Sequence, residues 1–216
     1  MSPYAPPELR PLDVVYRDPS LIIVNKPSGL LSVPGRGPEK ADCMISRAQS
    51  EFPSARIVHR LDMETSGLLI LALNDAVQRA ISMMFERRAI DKTYVAMVWG
   101  TPEKQSGTVE YPLSKDWPNR PLQKVDMENG KPSLTHWKLI ERLNGHSRIE
   151  LKPMTGRTHQ LRVHMDTIGH PILGDALYGS DKSRSASAVL LLHANWLGFE
   201  HPVTGEPLSV PSAPEF

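Results

Sequence analysis

The 216-residue chain carries 25 Lys and Arg against 24 Asp and Glu, a net charge of +1, with 40% hydrophobic and 23% charged residues. That balance suits a globular protein of one large or at most two small domains, and any contact with a polyanion must come from charge placement rather than total charge. No run of about 18 apolar residues is available to span a membrane, the opening MSPYAPPELRPLD lacks the apolar stretch of a secretory signal, and Cys43 as the only cysteine excludes an internal disulfide and a cysteine-rich zinc site. A cytoplasmic enzyme or binding protein is expected.

Residues 1–12 are proline-rich and read as irregular. LIIVN (21–25) reads as a short buried strand broken by KPSG, and GLLSVPGRGPEK as a loop. DCMISRAQSEF suggests a short helix with Asp42 as its N-cap. GLLILAL (67–73) is an apolar run of strand length. NDAVQRAISMMFERRAI places Val77, Ala80, Ile81, Met84 and Phe85 at helical spacing, so an amphipathic helix is expected. KTYVAMVWG alternates and ends at glycine, which favours a strand.

SKDWPNRPLQKVDMENGKP reads as a long loop. SLTHWKLIERL and SRIELKPM are strand candidates joined by the hairpin signal Asn144–Gly145. A helix is expected near GRTHQLRVHMDTIG, and a last hairpin with its turn around residues 201–206. Frequent hairpins and a strand majority give an α+β fold around a mostly antiparallel sheet. With no internal repeat and no flexible linker, one domain is expected over 1–216.

Four places have side chains suited to chemistry. In VHRLDMETSG, Asp62 follows Arg60 by two residues at the entrance to an apolar strand. A carboxylate there can be a nucleophile, a base, a metal ligand or a turn cap, and spacing alone favours the turn. His59, Asp62 and Glu64 have no familiar metal-ligand spacing, and HRLD without a Gly-rich loop or DFG is not a kinase loop. KPMTGRTHQLRVHM holds Lys152, Arg157, Arg162, His159 and His164 with no acid, and Gly156 before a helix start would leave N–H groups for a phosphate. A solvated basic face explains the same residues equally well. Tyr94 in a strand suits either packing or stacking on an extruded base. Trp117, Arg120 and Lys124 mix aromatic and basic character in one loop, as single-stranded RNA contacts do, although a Trp packed under prolines is an equal alternative.

Taken together, VNKPSGLLSVPG, HRLDMETSG, KTYVA, TGRTHQLRVHM, GHPILGD and LLLHA, in this order, resemble the RluA family of pseudouridine synthases, over nearly the whole chain. The resemblance implies an α+β pseudouridine synthase fold with a bent, mixed, largely antiparallel sheet, flanking helices and a central RNA-binding cleft. It makes Asp62 the catalytic aspartate, Arg60 the arginine that enters the space of the flipped base, Tyr94 the ring that stacks on uracil, and Arg157 the partner of the carboxylate. Lys152, Arg162, Arg120 and Lys124 become candidates for RNA-backbone contact. Uracil would leave its ribose at N1, turn and rejoin through C5, which needs no metal and no other cofactor. The compact length leaves no room for the separate N-terminal RNA-binding domain of many relatives. The chain resembles the compact member that modifies both a 23S rRNA hairpin loop and a tRNA anticodon loop, and a monomer without obligatory protein partner is the default expectation. A single RNA target, a silent RNA-binding module of the same fold and a base-releasing glycosidase are the alternatives.

Overall fold

A computed structural model describes residues 4–216. The fold is described as two compact units, residues 4–92 with 193–215, and residues 93–192. Both boundaries fall inside strands, so no change of composition marks them.

The first unit opens with β1 (Val14–Arg17) and β2 (Leu21–Lys26), followed by α1 (Met44–Glu51), β3 (Arg56–Ile57), β4 (Ser66–Ala72) and α2 (Asp75–Glu86). β1 is an edge strand that the sequence does not suggest. Its alternating half-exposed pattern carries little apolar signal, and its register on β2 shifts between Val14 and Tyr16. The N-cap of α1 is Cys43 rather than Asp42, because Ser46 Oγ accepts the Cys43 N–H at 2.9 Å while the Asp42 carboxylate is held by Arg47. α2 is capped by Asn74, whose side chain accepts the Val77 N–H at 2.9 Å. Its Val77 and Ile81 pack with Ile23, Leu68 and Ile70 in the core of this unit.

The second unit comprises β5 (Asp91–Trp99, its first two residues belonging to the first unit), β6 (Ser106–Val109), β7 (Leu113–Lys115), β8 (Gln123–Val125), β9 (Thr135–Arg142) and β10 (His146–Pro153), then α3 (Gln160–Thr167) and α4 (Asp181–Ser185). Strands run β5–β10–β9–β6, all antiparallel, and β7–β8 form a separate hairpin inside the stretch expected to be loop. The β9–β10 turn stands at Asn144–Gly145 as the sequence suggests, with Gly145 at φ 77°. Leu161 and Met165 of α3 pack on Ile149 and Leu151 of β10 and on Val98 of β5.

β11 (Leu192–Glu200) and β12 (Pro207–Pro211) return the chain to the first unit as the expected hairpin, with the His201 N–H on the Glu206 carbonyl. β11 runs parallel to β4, His193 opposite Ser66 and Ala194 opposite Gly67. The sheet pairing is thus mixed and mostly antiparallel, and with four α-helices among the described residues the fold is α+β. Gly67 has φ +108°, and a Cβ there would come within 3 Å of the Ala194 backbone, so only glycine admits this close strand approach.

Candidate active site

The Asp62 loop is fixed residue by residue. His59 is half-buried, with its ring 4.5 Å from that of Phe85; desolvation of the imidazole, and secondarily the Lys92 charge, push it down to about 3. It is therefore neutral near pH 7, and its Nε2 accepts the Ile70 N–H of β4 at 2.9 Å. Leu61 is held by Ser32, whose Oγ accepts from its N–H and donates to its carbonyl. The Met63 carbonyl receives the Gly29 N–H at 2.9 Å and the Lys26 ammonium at 3.0 Å. The Glu64 carbonyl receives the Ser28 hydroxyl at 2.6 Å, and the Thr65 N–H closes a turn on the Asp62 carbonyl at 3.2 Å. The KPSGLLS stretch (26–32) is thus the scaffold of HRLDMETSG.

With Leu61 and Met63 held, the residues between and before them are left to present chemistry. Arg60 is exposed and Asp62 half-buried. Beneath them lies Lys26, 0% exposed, its ammonium on the carbonyls of Pro27, Leu30 and Met63 at 2.9, 2.7 and 3.0 Å. Three carbonyls match the three N–H bonds of the charged form. Burial pushes the ammonium down to about 7, against the pull of the Asp62 and Glu64 carboxylates. Behind the loop, His193 of β11 shares hydrogen bonds with Ser66 at 2.9 Å and Ser212 at 3.1 Å, tying the end of the loop to the C-terminal segment.

The other residues expected at the site lie in the second unit. Tyr94 stands on β5 opposite Leu151, packed against the core of that unit. Lys152 is half-buried on β10, opposite His136 of β9. Arg157 lies in the turn before α3; its Nε donates to the Pro132 carbonyl at 3.1 Å and its N–H to Gln160 Oε1 at 3.0 Å. That Gln160 contact corrects the expected phosphate cradle at Gly156: the helix begins only at Gln160, and the Arg157 N–H already has a partner. Arg120 and Lys124 are exposed on the β7–β8 hairpin.

Arg162 requires a correction. It is 1% exposed, with Nε and Nη2 on the two oxygens of Asp175 at 2.8 and 2.7 Å and its guanidinium 5.4 Å from the Tyr178 ring. A fully buried bidentate pair is part of the fold's interior, not a surface contact for RNA phosphates. Tyr178 Oη meets His159 at 2.8 Å and accepts the Gln123 N–H of β8 at 2.9 Å, so this network anchors the β7–β8 hairpin. Among the described residues no group of three or more His, Cys, Asp or Glu is placed to hold a metal ion, and no helix is long and apolar enough to cross a membrane.

The sequence model of the family described as RNA pseudouridylate synthase matches residues 20–167, a stretch that contains the whole Asp62 loop and its KPSGLLS scaffold. The chain belongs to this family. The synthase is 47% identical over 217 residues to the dual-specificity RNA pseudouridine synthase RluA of Escherichia coli strain K12, with 100% of this chain and 99% of the relative covered. It is 48% identical over 204 residues to the protein of the same name from Yersinia pestis, covering 94% and 99%. Among solved structures, human RNA pseudouridylate synthase domain containing 1 superposes with a TM-score of 0.81 at 30% identity, covering 98% of this chain and 87% of that one. The synthase is thus an RluA-type RNA pseudouridine synthase, an isomerase.

Sequence reasoning found the motifs of the synthase but not the roles of Lys26, Ser32, Asp175, Tyr178 and His193. A lysine at the end of a buried strand, followed by Pro-Ser-Gly, was a usable signal for Lys26. A buried charge at a strand end needs several carbonyl partners, and turns supply them.

Proposed function

We propose that the synthase converts uridine to pseudouridine in two kinds of RNA, a 23S rRNA hairpin loop and a tRNA anticodon loop, acting in the cytoplasm as a monomer and without metal or other cofactor. The observation that carries this reading is the clamped loop that fixes the backbone on both sides of Asp62. The dual-specificity name of relatives that match along nearly their full length supports two kinds of target.

In this reading the target base must leave its stack, which costs a few kcal/mol and least in a loop. Arg60, planar and exposed, takes the vacated place and meets neighbouring bases and phosphates. The Asp62 carboxylate promotes cleavage of the N1–C1′ bond, and uracil carries the electron pair away at N1. The base turns, C5 bonds to C1′, and the proton lost from C5 is balanced by one gained at N1. Tyr94 stacks on the freed base, and Arg157 serves as the partner that keeps the catalytic carboxylate charged. Lys152, Arg120 and Lys124 meet the RNA backbone.

The test is Asp62→Asn and Asp62→Ala with hairpin RNA. Both variants are expected to make no pseudouridine while still binding RNA, and the product of the unaltered synthase should keep the mass of its substrate. Near-normal turnover in either variant would remove Asp62 from the reaction, and a loss of mass equal to uracil would identify a glycosidase.

A further inference from the structure

The β7–β8 hairpin presents an aromatic ring to solvent. Trp117 is 62% exposed, with Lys115 Nζ 5.3 Å and the Arg120 guanidinium 5.0 Å from its ring centroid. The ring does not hold the loop in shape, because the loop's own backbone does so. The Asp116 N–H donates to the Leu122 carbonyl at 3.0 Å, the Asn119 N–H to Asp116 at 3.1 Å and the Leu122 N–H to Asn119 at 3.0 Å. The root is equally firm: Leu122 and Val125 pack on Leu113, Val163 and Tyr178.

Charge at this tip favours an anionic partner. Lys115, Arg120 and Lys124 are exposed. The nearby acids are engaged within the hairpin, Asp116 by the Asn119 amide at 2.9 Å and Asp126 by the Ser114 hydroxyl and the Asn129 N–H, both at 2.9 Å. A flat ring with a guanidinium and one ammonium at it, and a further exposed lysine on the same hairpin, matches a flat base on a phosphate chain, whereas an acidic peptide has the charge but not the flat face.

We infer that Trp117 is a stacking platform for an unpaired nucleobase of the RNA substrate, with Lys115, Arg120 and Lys124 on the flanking phosphates. The inference rests on the reading that the synthase acts on RNA loops, and it adds a loop nucleotide besides the target uridine to what is recognised. Duplex RNA, whose bases are stacked on each other, has no face to offer the ring.

The experiment measures binding in the Asp62→Asn protein, so that turnover plays no part and failure of the isomerase reading leaves it intact. The probes are an RNA hairpin with a single-stranded loop and a blunt duplex of the same stem. Trp117→Ala and Trp117→Leu are expected to weaken hairpin binding by about 5- to 100-fold and to leave duplex binding unchanged, while Trp117→Phe retains most of the affinity. Trp117→Leu keeps apolar bulk on the hairpin and so separates loss of stacking from loss of fold. Hairpin binding that stays at the parent level in both variants, or falls equally on the duplex, would overturn the platform.

Discussion

Ser32 closes on both polar groups of Leu61: its Oγ accepts the Leu61 N–H at 3.1 Å and donates to the Leu61 carbonyl at 2.7 Å, with both residues buried. Since Leu61 separates Arg60 from Asp62, this one hydroxyl sets the backbone from which both side chains leave. Ser32→Ala would strand the amide and the carbonyl together. The expected cost is about 1–3 kcal/mol in urea unfolding. Single-turnover isomerisation should fall further than hairpin-RNA affinity does. A variant with parental unfolding midpoint and rate would show that the loop holds its shape without this clamp.

Arg60→Ala should act on the reaction and not on the fold. The side chain is exposed, so unfolding should shift by less than about 0.5 kcal/mol. Single-turnover rates are expected to drop on a structured hairpin, and the deficit should shrink on RNA whose target uridine is already unstacked, where extrusion costs less. Equal rates for variant and parent on the structured hairpin would remove Arg60 from base extrusion.

Arg162 and Asp175 form a buried pair, with side chains 0% and 1% exposed. Removing one member takes the bidentate counter-charge from the other in a buried place, so Arg162→Met and Asp175→Leu are each expected to destabilise by about 3–5 kcal/mol. The double variant should recover much of that loss, which urea unfolding of all three proteins can measure. Full additivity of the two losses would show that the pair is not coupled.

Asp18 gives the fold an acid limit. Burial alone would raise its carboxyl, but the Ser20 and Leu21 N–H groups, the Tyr16 hydroxyl and the His201 ring together hold it below its ordinary 3.8. A carboxyl lowered in the fold stabilises fully above its unfolded value and ceases to do so as pH falls through the folded one. The stability gap between the parent and Asp18→Asn should therefore be constant from neutrality to about pH 5 and close below about pH 4. A gap that stays constant down to pH 2.5, about one unit below any ordinary aspartate, would show that Asp18 contributes no charge-dependent stability.

What could be read in advance follows from how local the cause is. The amphipathic spacing of Val77 and Ile81 and the Asn144–Gly145 turn act within a few residues, and α2 and the β9–β10 hairpin appear where they point. The three-residue strands β7 and β8 are too short to show a period, and the prolines and Trp117 between them read as loop. At the site, the order of the motifs already set Arg60 and Asp62 on one loop. Arg162 departs from its expected place because its partner, Asp175, arrives from thirteen residues further along through the fold alone. A basic residue in a basic stretch gives no sign of such burial.

The parallel pairing of β4 with β11 joins residues 127 positions apart, as the Ser66–His193 hydrogen bond shows. During synthesis, the start of the strand that follows Asp62, beyond its short pairing with β3, therefore waits for its parallel neighbour until β11 has been made. Such distant closure slows folding and leaves a sticky nascent intermediate. The loop that carries Asp62 can be clamped early by residues 26–32, but its tie from Ser66 to His193 closes only once β11 has arrived.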